Sequence, residues 1–377
     1  MPVPLLDLAH QYTAIQADLD RAVADVVRSQ RFIMGPWVDR LEAEIAQCTG
    51  ARHAISCASG TDAILLSLRA LELETGSEVI VPSFTFFASA GAVWNAGFRP
   101  VFADIDPATY NLTAETVERV LTPKTRALIV VHLYGQMAEL QPLLELAERH
   151  NLILIEDAAQ SIRARQRLNG EWRQAGTLGV TGCFSFFPSK NLGGFGDGGL
   201  VTTQDDRVAD RLRKLRVHGG RQMYHHEMVG TNSRLDALQA AVLSAKLPHL
   251  DGWTQRRREN AAHYTRMLSQ LEGVSVPQVL PHNDHVFNQY TIRVRRRDML
   301  KMQLDRMGIG NAIYYPVPLH LQECFRPLGH SRGDFPESER ATQEVISIPV
   351  YPELTRDQQE EVIGAIADFL AEELGAR

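Results

Sequence analysis

A carboxylate, an amine and a glycine-marked helix start are the three features of this chain that could do chemistry together. The carboxylate is Asp157, which closes the apolar run Leu152-Ile153-Leu154-Ile155-Glu156 and leads into Ala158-Ala159-Gln160. In open α/β sheets, ligands sit beyond the carboxyl ends of the strands. Asp157 therefore either faces a pocket or caps the segment that follows. The amine is Lys190, in Ser185-Phe186-Phe187-Pro188-Ser189-Lys190-Asn191, just ahead of Gly193-Gly194-Phe195-Gly196-Asp197-Gly198-Gly199. Glycines let a backbone approach a ligand without Cβ interference, and desolvation lowers a lysine pKa toward a usable amine. The bland alternative is a surface lysine on a flexible loop. The third piece is Ser59-Gly60-Thr61-Asp62-Ala63, running into the helical Ile64 to Ala70. Such a start either binds an anion through its free N–H groups and dipole or is an ordinary hydroxyl cap.

Together the three pieces fit pyridoxal 5′-phosphate. That cofactor needs a lysine for its aldehyde, an acid opposite its ring nitrogen and an anion site for its phosphate. Gly194, Gly196 and Gly199 also spell GxGxxG, but a dinucleotide fingerprint follows a strand and opens a helix. Here the glycines precede the strand-like Leu200-Val201-Thr202-Thr203.

These residues need elements to position them. Near-continuous apolar runs at residues 78–82, 100–104, 127–131, 152–156, 182–186 and 200–203 read as strands buried on both faces, the pattern of a mostly parallel sheet. Amphipathic stretches at 36–47, 139–150 and 206–216 alternate with them, so an α/β domain is expected over residues 1–250. The rhythm changes after Trp253. A charged helix from 254 to about 271, a strand (289–294), a helix (297–307), a short strand (Asn311 to Tyr315) and a last helix make a smaller α+β domain, 251–377. The last helix carries the stripe Val362, Ile363, Ile366, Phe369 and Leu370, and Gly375 is expected just past its end.

Composition narrows the class. With 39 Lys+Arg against 45 Asp+Glu the net charge is −6, which argues against a dedicated nucleic-acid binder. The triplets Arg256 to Arg258 and Arg295 to Arg297 read as solvated faces. No apolar run approaches the ~20 residues of a membrane helix, and the first residues do not read as a signal peptide. The four cysteines form no CxxC pair, which points to a reducing cytoplasm. The spacing of His218, His225, His226 and Glu227 matches no zinc pattern, and a loop touching substrate or a partner subunit is expected there.

Seven segments carry a resemblance: Ser59 to Ala63, Val81-Pro82-Ser83-Phe84-Thr85-Phe86, His132-Leu133-Tyr134-Gly135-Gln136, Glu156 to Gln160, Phe184 to Gly199, Asn232-Ser233-Arg234-Leu235-Asp236 and Tyr315-Pro316-Val317-Pro318-Leu319-His320. Over nearly its whole length the chain resembles the DegT/DnrJ/EryC1/StrS nucleotide-sugar aminotransferases, of the aspartate aminotransferase fold (fold type I of the pyridoxal-phosphate enzymes). The resemblance implies that Lys190 bonds the cofactor and shuttles the proton, while Asp157 pairs with the ring nitrogen. It implies that Gln160 meets the ring oxygen, Phe86 stacks on the ring, and Gly60, Thr61 and Ser185 hold the phosphate. Asn232 would reach the phosphate from the other subunit of a homodimer with shared sites. Arg234, Tyr315 and His320 would lie near the sugar nucleotide. From the residues alone, Phe86 could equally be core, and Asn232 and Arg234 a loop and helix start. His132, after the run 127–131, is expected at the pocket rim. The implied reaction passes the amino group of L-glutamate, which leaves as 2-oxoglutarate, to a nucleotide-linked keto sugar. His132 to Gln136 and Tyr224-His225-His226 favour carbon 3, with carbon 4 as rival, in amino-sugar or surface-polysaccharide biosynthesis. A sugar dehydratase, in which His replaces the lysine, and a non-catalytic regulator are the other readings. Two positions depart from the family pattern. Arg163 stands where relatives commonly carry a small residue, often Gly, so it either meets a substrate anion or turns outward. Tyr314 stands where many relatives have His.

Overall fold

The apolar runs form the strands they suggest. In the computed structural model, which describes residues 2–375, β1 (His53–Cys57), β2 (Glu78–Pro82), β3 (Arg99–Ala103), β4 (Thr125–Val131) and β5 (Ile153–Asp157) come first. A hairpin follows, β6 (Arg165–Leu168) and β7 (Glu171–Gln174), then β8 (Thr181–Ser185) and β9 (Gly199–Thr203). The main sheet has the order β3-β2-β4-β5-β8-β9-β1, and β9 alone runs against the other six.

Alternation along each strand splits the side chains between two cores. Ala127, Ile129 and Val131 of β4 pack with helices Gly60–Ala70, Ala88–Asn95 and Asp206–Leu215. Leu128 and Val130 pack on the opposite face with helices Pro36–Thr49, Leu140–Arg149 and Ala237–Lys246. Coverage of both faces is why these strands carry near-continuous apolar runs. Pro36 opens its helix, and Gly50 ends it at φ 77°, a conformation that costs glycine nothing.

In the C-terminal part, β10 (Val274–Ser275), β12 (Tyr290–Val294) and β13 (Val345–Ile348) make an antiparallel sheet, while β11 (Asn283–Asp284) pairs with β6. Helices Leu250–Leu268, Arg297–Arg306 and Arg356–Gly375 pack around a third core. Val3, from the chain start, joins that core, and Leu319, Phe325 and Phe335 pack into the first one, so packing crosses residue 250 in both directions. The stretch Asn311 to Tyr315 is not a strand. Ala312 makes one bridge to Ser347, and the chain then leaves for the main sheet. Gly375 lies within the last helix rather than beyond it.

Candidate active site

The carboxyl ends of β2, β4, β5 and β8 open into one cavity of about 430 Å³. Thr85 and Phe86 follow β2, Val131 and Leu133 come from the end of β4, Asp157 and Gln160 from β5, and Ser185 from β8. Gly60, Thr61, Lys190 and Tyr315 complete a wall that includes eight of the twelve residues expected at the site.

Asp157 is 5% exposed. One carboxylate oxygen accepts the Ser89 hydroxyl at 2.8 Å and the other the Ala159 N–H at 3.2 Å. Burial raises its pKa, and the two hydrogen bonds and the Lys190 charge oppose that rise. A buried acid of this kind gains from a cationic N–H partner in the cavity.

Lys190 sits on a turn after β8. Its own N–H donates to Phe187 O at 2.9 Å, and the glycine run folds back beneath it through Phe186 N to Gly198 O and Gly194 N to Phe186 O, both 2.8 Å. Lys246 and Gln239 fasten this loop to helix Ala237–Lys246, by Nζ to Gly193 O (2.8 Å) and by Phe195 N to Oε1 (2.7 Å). Burial lowers the Lys190 pKa to about 8, against the opposing pull of Asp157. Its amine makes no hydrogen bond to a described residue, and it shares the cavity wall with Asp157.

The anion cup is built by close approach. A Cβ on Gly60 would lie 2.7 Å from Ser185 Cβ, so only glycine lets this helix start meet β8. Ser59 caps the helix by accepting the Asp62 N–H at 3.1 Å, which leaves the Gly60 and Thr61 end facing the cavity. Ser233 Oγ, 2.6 Å from Asp62 Oδ2, ties the Asn232-to-Asp236 segment to the same turn. Phe86 is 56% exposed at the cavity mouth, so it is not core. Amine, acid, aromatic face and anion cup converge on one space, and these groups fit pyridoxal 5′-phosphate.

Four expected residues lie elsewhere. His132 is fully buried and is not at the rim. Its Nδ1 accepts the Ala138 N–H at 3.2 Å, so Nε2 carries the proton and donates to Glu156 at 2.8 Å. Glu156, beside Asp157 on β5, points to the opposite face of the sheet, where it also accepts the N–H groups of Gly176, Leu178 and Gly179. His320 is likewise buried outside the cavity, between Ser83 Oγ (2.6 Å) and Glu339 (3.2 Å). There it moors the chain after Tyr315 to the end of β2. Asn232 and Arg234 do not line this chain's cavity, and their side chains bond no described residue.

Arg163 turns away from the cavity and is not free. It grips Asp251 with two hydrogen bonds, at 2.6 and 2.8 Å, and donates to Cys48 O at 3.0 Å. Its φ of 70° explains why glycine suits this position. Tyr314 does line the cavity, and its carbonyl accepts the Tyr134 hydroxyl. Among the described residues no acidic, His or Cys cluster could hold a metal, and no helix is long and apolar enough to cross a membrane. Sequence reasoning missed Ser89, Asp197 and Gln289. Nothing local marks Ser89; only helix packing brings it to Asp157.

The profile of the DegT/DnrJ/EryC1/StrS aminotransferase family matches residues 13–367. A "pleiotropic regulatory protein" of Geobacillus stearothermophilus is 48% identical over 98% of this chain and 99% of its own length. A UDP-N-acetyl-3-dehydro-alpha-D-glucosamine 3-aminotransferase of Acidithiobacillus ferrooxidans is 43% identical over 94% and 95%. Among solved structures, S. venezuelae DesV in complex with a ketimine intermediate superposes with a TM-score of 0.94, at 44% identity, over 98% of both chains.

Proposed function

The chain belongs to the DegT/DnrJ/EryC1/StrS aminotransferase family, and from that premise we propose that its cavity moves an amino group from L-glutamate to carbon 3 of a nucleotide-linked keto sugar. It is a pyridoxal-phosphate-dependent sugar aminotransferase. When bound, the cofactor supplies an aldehyde to carry the amino group and a ring that accepts electrons. The residues of the chain do the rest. Lys190 would hold the cofactor and move the proton at the reacting carbon, a contribution of roughly 10²–10⁴-fold. Asp157 would keep a proton on the ring nitrogen. Gly60, Thr61 and Ser185 would take the phosphate, Phe86 would cover the ring, and Gln160 would meet its oxygen. The observation that carries this reading is an unpaired lysine of lowered pKa sharing one cavity with a buried acid and a helix start.

Carbon 3 rests on the Acidithiobacillus relative, whose name places the amino group there. Charge supports a homodimer with shared sites. Cofactor phosphate, glutamate and sugar nucleotide are all anionic, yet Lys190 is the one cation among the described lining residues, beside Asp157 and Asp197. A neighbouring subunit would be a source of further cations and hydrogen-bond donors. Asn232 and Arg234, unengaged in their own subunit, are the groups we assign to the neighbour's cavity. Amino-sugar supply for a surface polysaccharide, in the cytoplasm, is the setting this chemistry suits.

The test is to load the protein with cofactor, add glutamate, and offer UDP- and dTDP-linked 3-keto and 4-keto sugars. Mass spectrometry and NMR should find a 3-amino product and 2-oxoglutarate. A 4-amino product overturns the regiochemistry. The name of the Geobacillus relative gives a regulator as second reading; it predicts no visible absorbance and no turnover of glutamate.

A further inference from the structure

The Gln160 carboxamide can sit only one way round. A backbone N–H can only donate, so the atom 2.6 Å from Tyr134 N is oxygen, and Nε2 faces the Tyr315 hydroxyl at 3.2 Å. The chain supports this arrangement at some cost. Tyr134 holds φ at 59°, a conformation non-glycine residues rarely adopt, and its own hydroxyl donates to Tyr314 O, next to Tyr315. The Tyr315 ring lies 6.1 Å from Phe84 and 5.9 Å from Phe86. A phenol fixed this firmly, and accepting from Gln160, still has its own proton to place. Burial and the Asp157 charge keep that proton on, well past the ordinary tyrosine range. No described residue accepts it, and Tyr315 opens onto the same cavity as Asp157, Gln160 and Lys190.

We infer that the Tyr315 O–H and the Gln160 Nε2–H act as a pair of donors to one anionic oxygen, the ring oxygen of the bound cofactor. This rests on the aminotransferase reading and adds Tyr315 to the cofactor's own contacts, where the family resemblance places it at the sugar. Donors to an anionic oxygen stabilise its charged form and lower its pKa. The groups facing Tyr315 are Asp157, Tyr134 and Tyr314, with Lys190 on the same cavity wall. A Tyr315→Phe change leaves all of them in place.

The experiment is a pH titration of the visible absorbance of the cofactor-loaded enzyme. Tyr315→Phe should raise the midpoint by about one unit, a tenfold change in the ionisation constant. Incorporating 3-fluorotyrosine at position 315, of the same reach but with a more acidic O–H, should lower it below that of the parent. This second variant carries the test should Tyr315→Phe fail to load. An unmoved midpoint with an altered KM for the sugar nucleotide alone overturns the inference and returns Tyr315 to a substrate contact. An unmoved midpoint with 3-fluorotyrosine overturns it too. Absence of a visible chromophore from the unaltered protein overturns the aminotransferase reading, and this inference with it.

Discussion

Lys190 and His132 are both titratable side chains close to Asp157 in sequence or space, yet their burial serves opposite ends. Lys190 is desolvated without a partner, so function is held against stability. At pH 7 its amine is protonated in both folded and unfolded chains, and the folded chain carries the whole desolvation cost, on the order of 1–3 kcal/mol. Lys190→Met, without cofactor, should therefore melt above the parent at pH 7 while losing all turnover. Between pH about 8 and the ordinary lysine value of about 10.4, the folded parent sheds its proton before the unfolded one does. Its stability rises across that window, and the melting gap to Lys190→Met should close. A gap that is absent at pH 7 or constant with pH would mean the amine is solvated. His132 is the reverse case. Burial works against the Glu156 charge, but His132 and the N–H groups of Gly179 and Gly176 more than offset it, leaving the carboxyl pKa below the ordinary value. That contribution is fully present above pH about 4.3 and lost as pH falls through the lower folded value. His132→Ala should cost about 2–4 kcal/mol in urea unfolding at pH 7 and change KM for either substrate little. A large KM change with intact stability would put His132 back at the rim. The sequence separates these two residues poorly. Lys190 is betrayed by the glycines that follow it, whereas His132 and His320 sit in motifs whose partners, Glu156 and Ser83, only the fold selects.

Elements were legible where one physical demand dominates. β2, β4 and β5 are buried on both faces and therefore carry near-continuous apolar runs, broken only at their ends by Glu78, by Thr125 and Arg126, and by Glu156 and Asp157. The β6–β7 hairpin is charged and largely exposed, so hydrophobicity could not mark it, although Asn169-Gly170, at φ 50° and 87°, is a strong hairpin turn signal. Asn311 to Tyr315 looks like a strand because its apolar side chains are needed, but they are needed at the cavity wall and the first core rather than in a sheet. Glycines make the same point within helices. Gly364 lies inside the last helix, and an added methyl there would meet nothing within 4 Å, so Gly364→Ala should stabilise by roughly 0.5–1 kcal/mol. Gly60 also lies in a helix, but its added methyl meets Ser185. Gly60→Ala should leave the fold intact and weaken cofactor binding at least about tenfold, roughly 1.4 kcal/mol, by absorbance titration. Equal effects of the two substitutions would show that the helix start does not form the phosphate cup.

At the scale of the whole molecule, one chain builds a cavity whose lining carries fewer cations than its anionic ligands call for. The surface also carries exposed apolar side chains: Met223, Tyr224 and Val229 project from the loop after helix Asp206–Leu215 at 82%, 89% and 91% exposure. A two-fold dimer would bury such residues and carry Asn232 and Arg234 into the facing site. Lys190→Ala removes the reacting amine from a site, while Asn232→Ala removes a group donated to the other site. In a mixed dimer one cavity receives both defects and the other neither. Each variant alone should be nearly inactive. Unfolded together and refolded, half of the dimers are mixed and each holds one intact site, so activity should recover to about one quarter of the parent value. Recovery must scale with mixing and vanish when the variants are combined after refolding under conditions where dimers do not exchange. If Asn232 acts within its own subunit, every mixed dimer keeps one defect in each cavity, and no recovery occurs at any ratio.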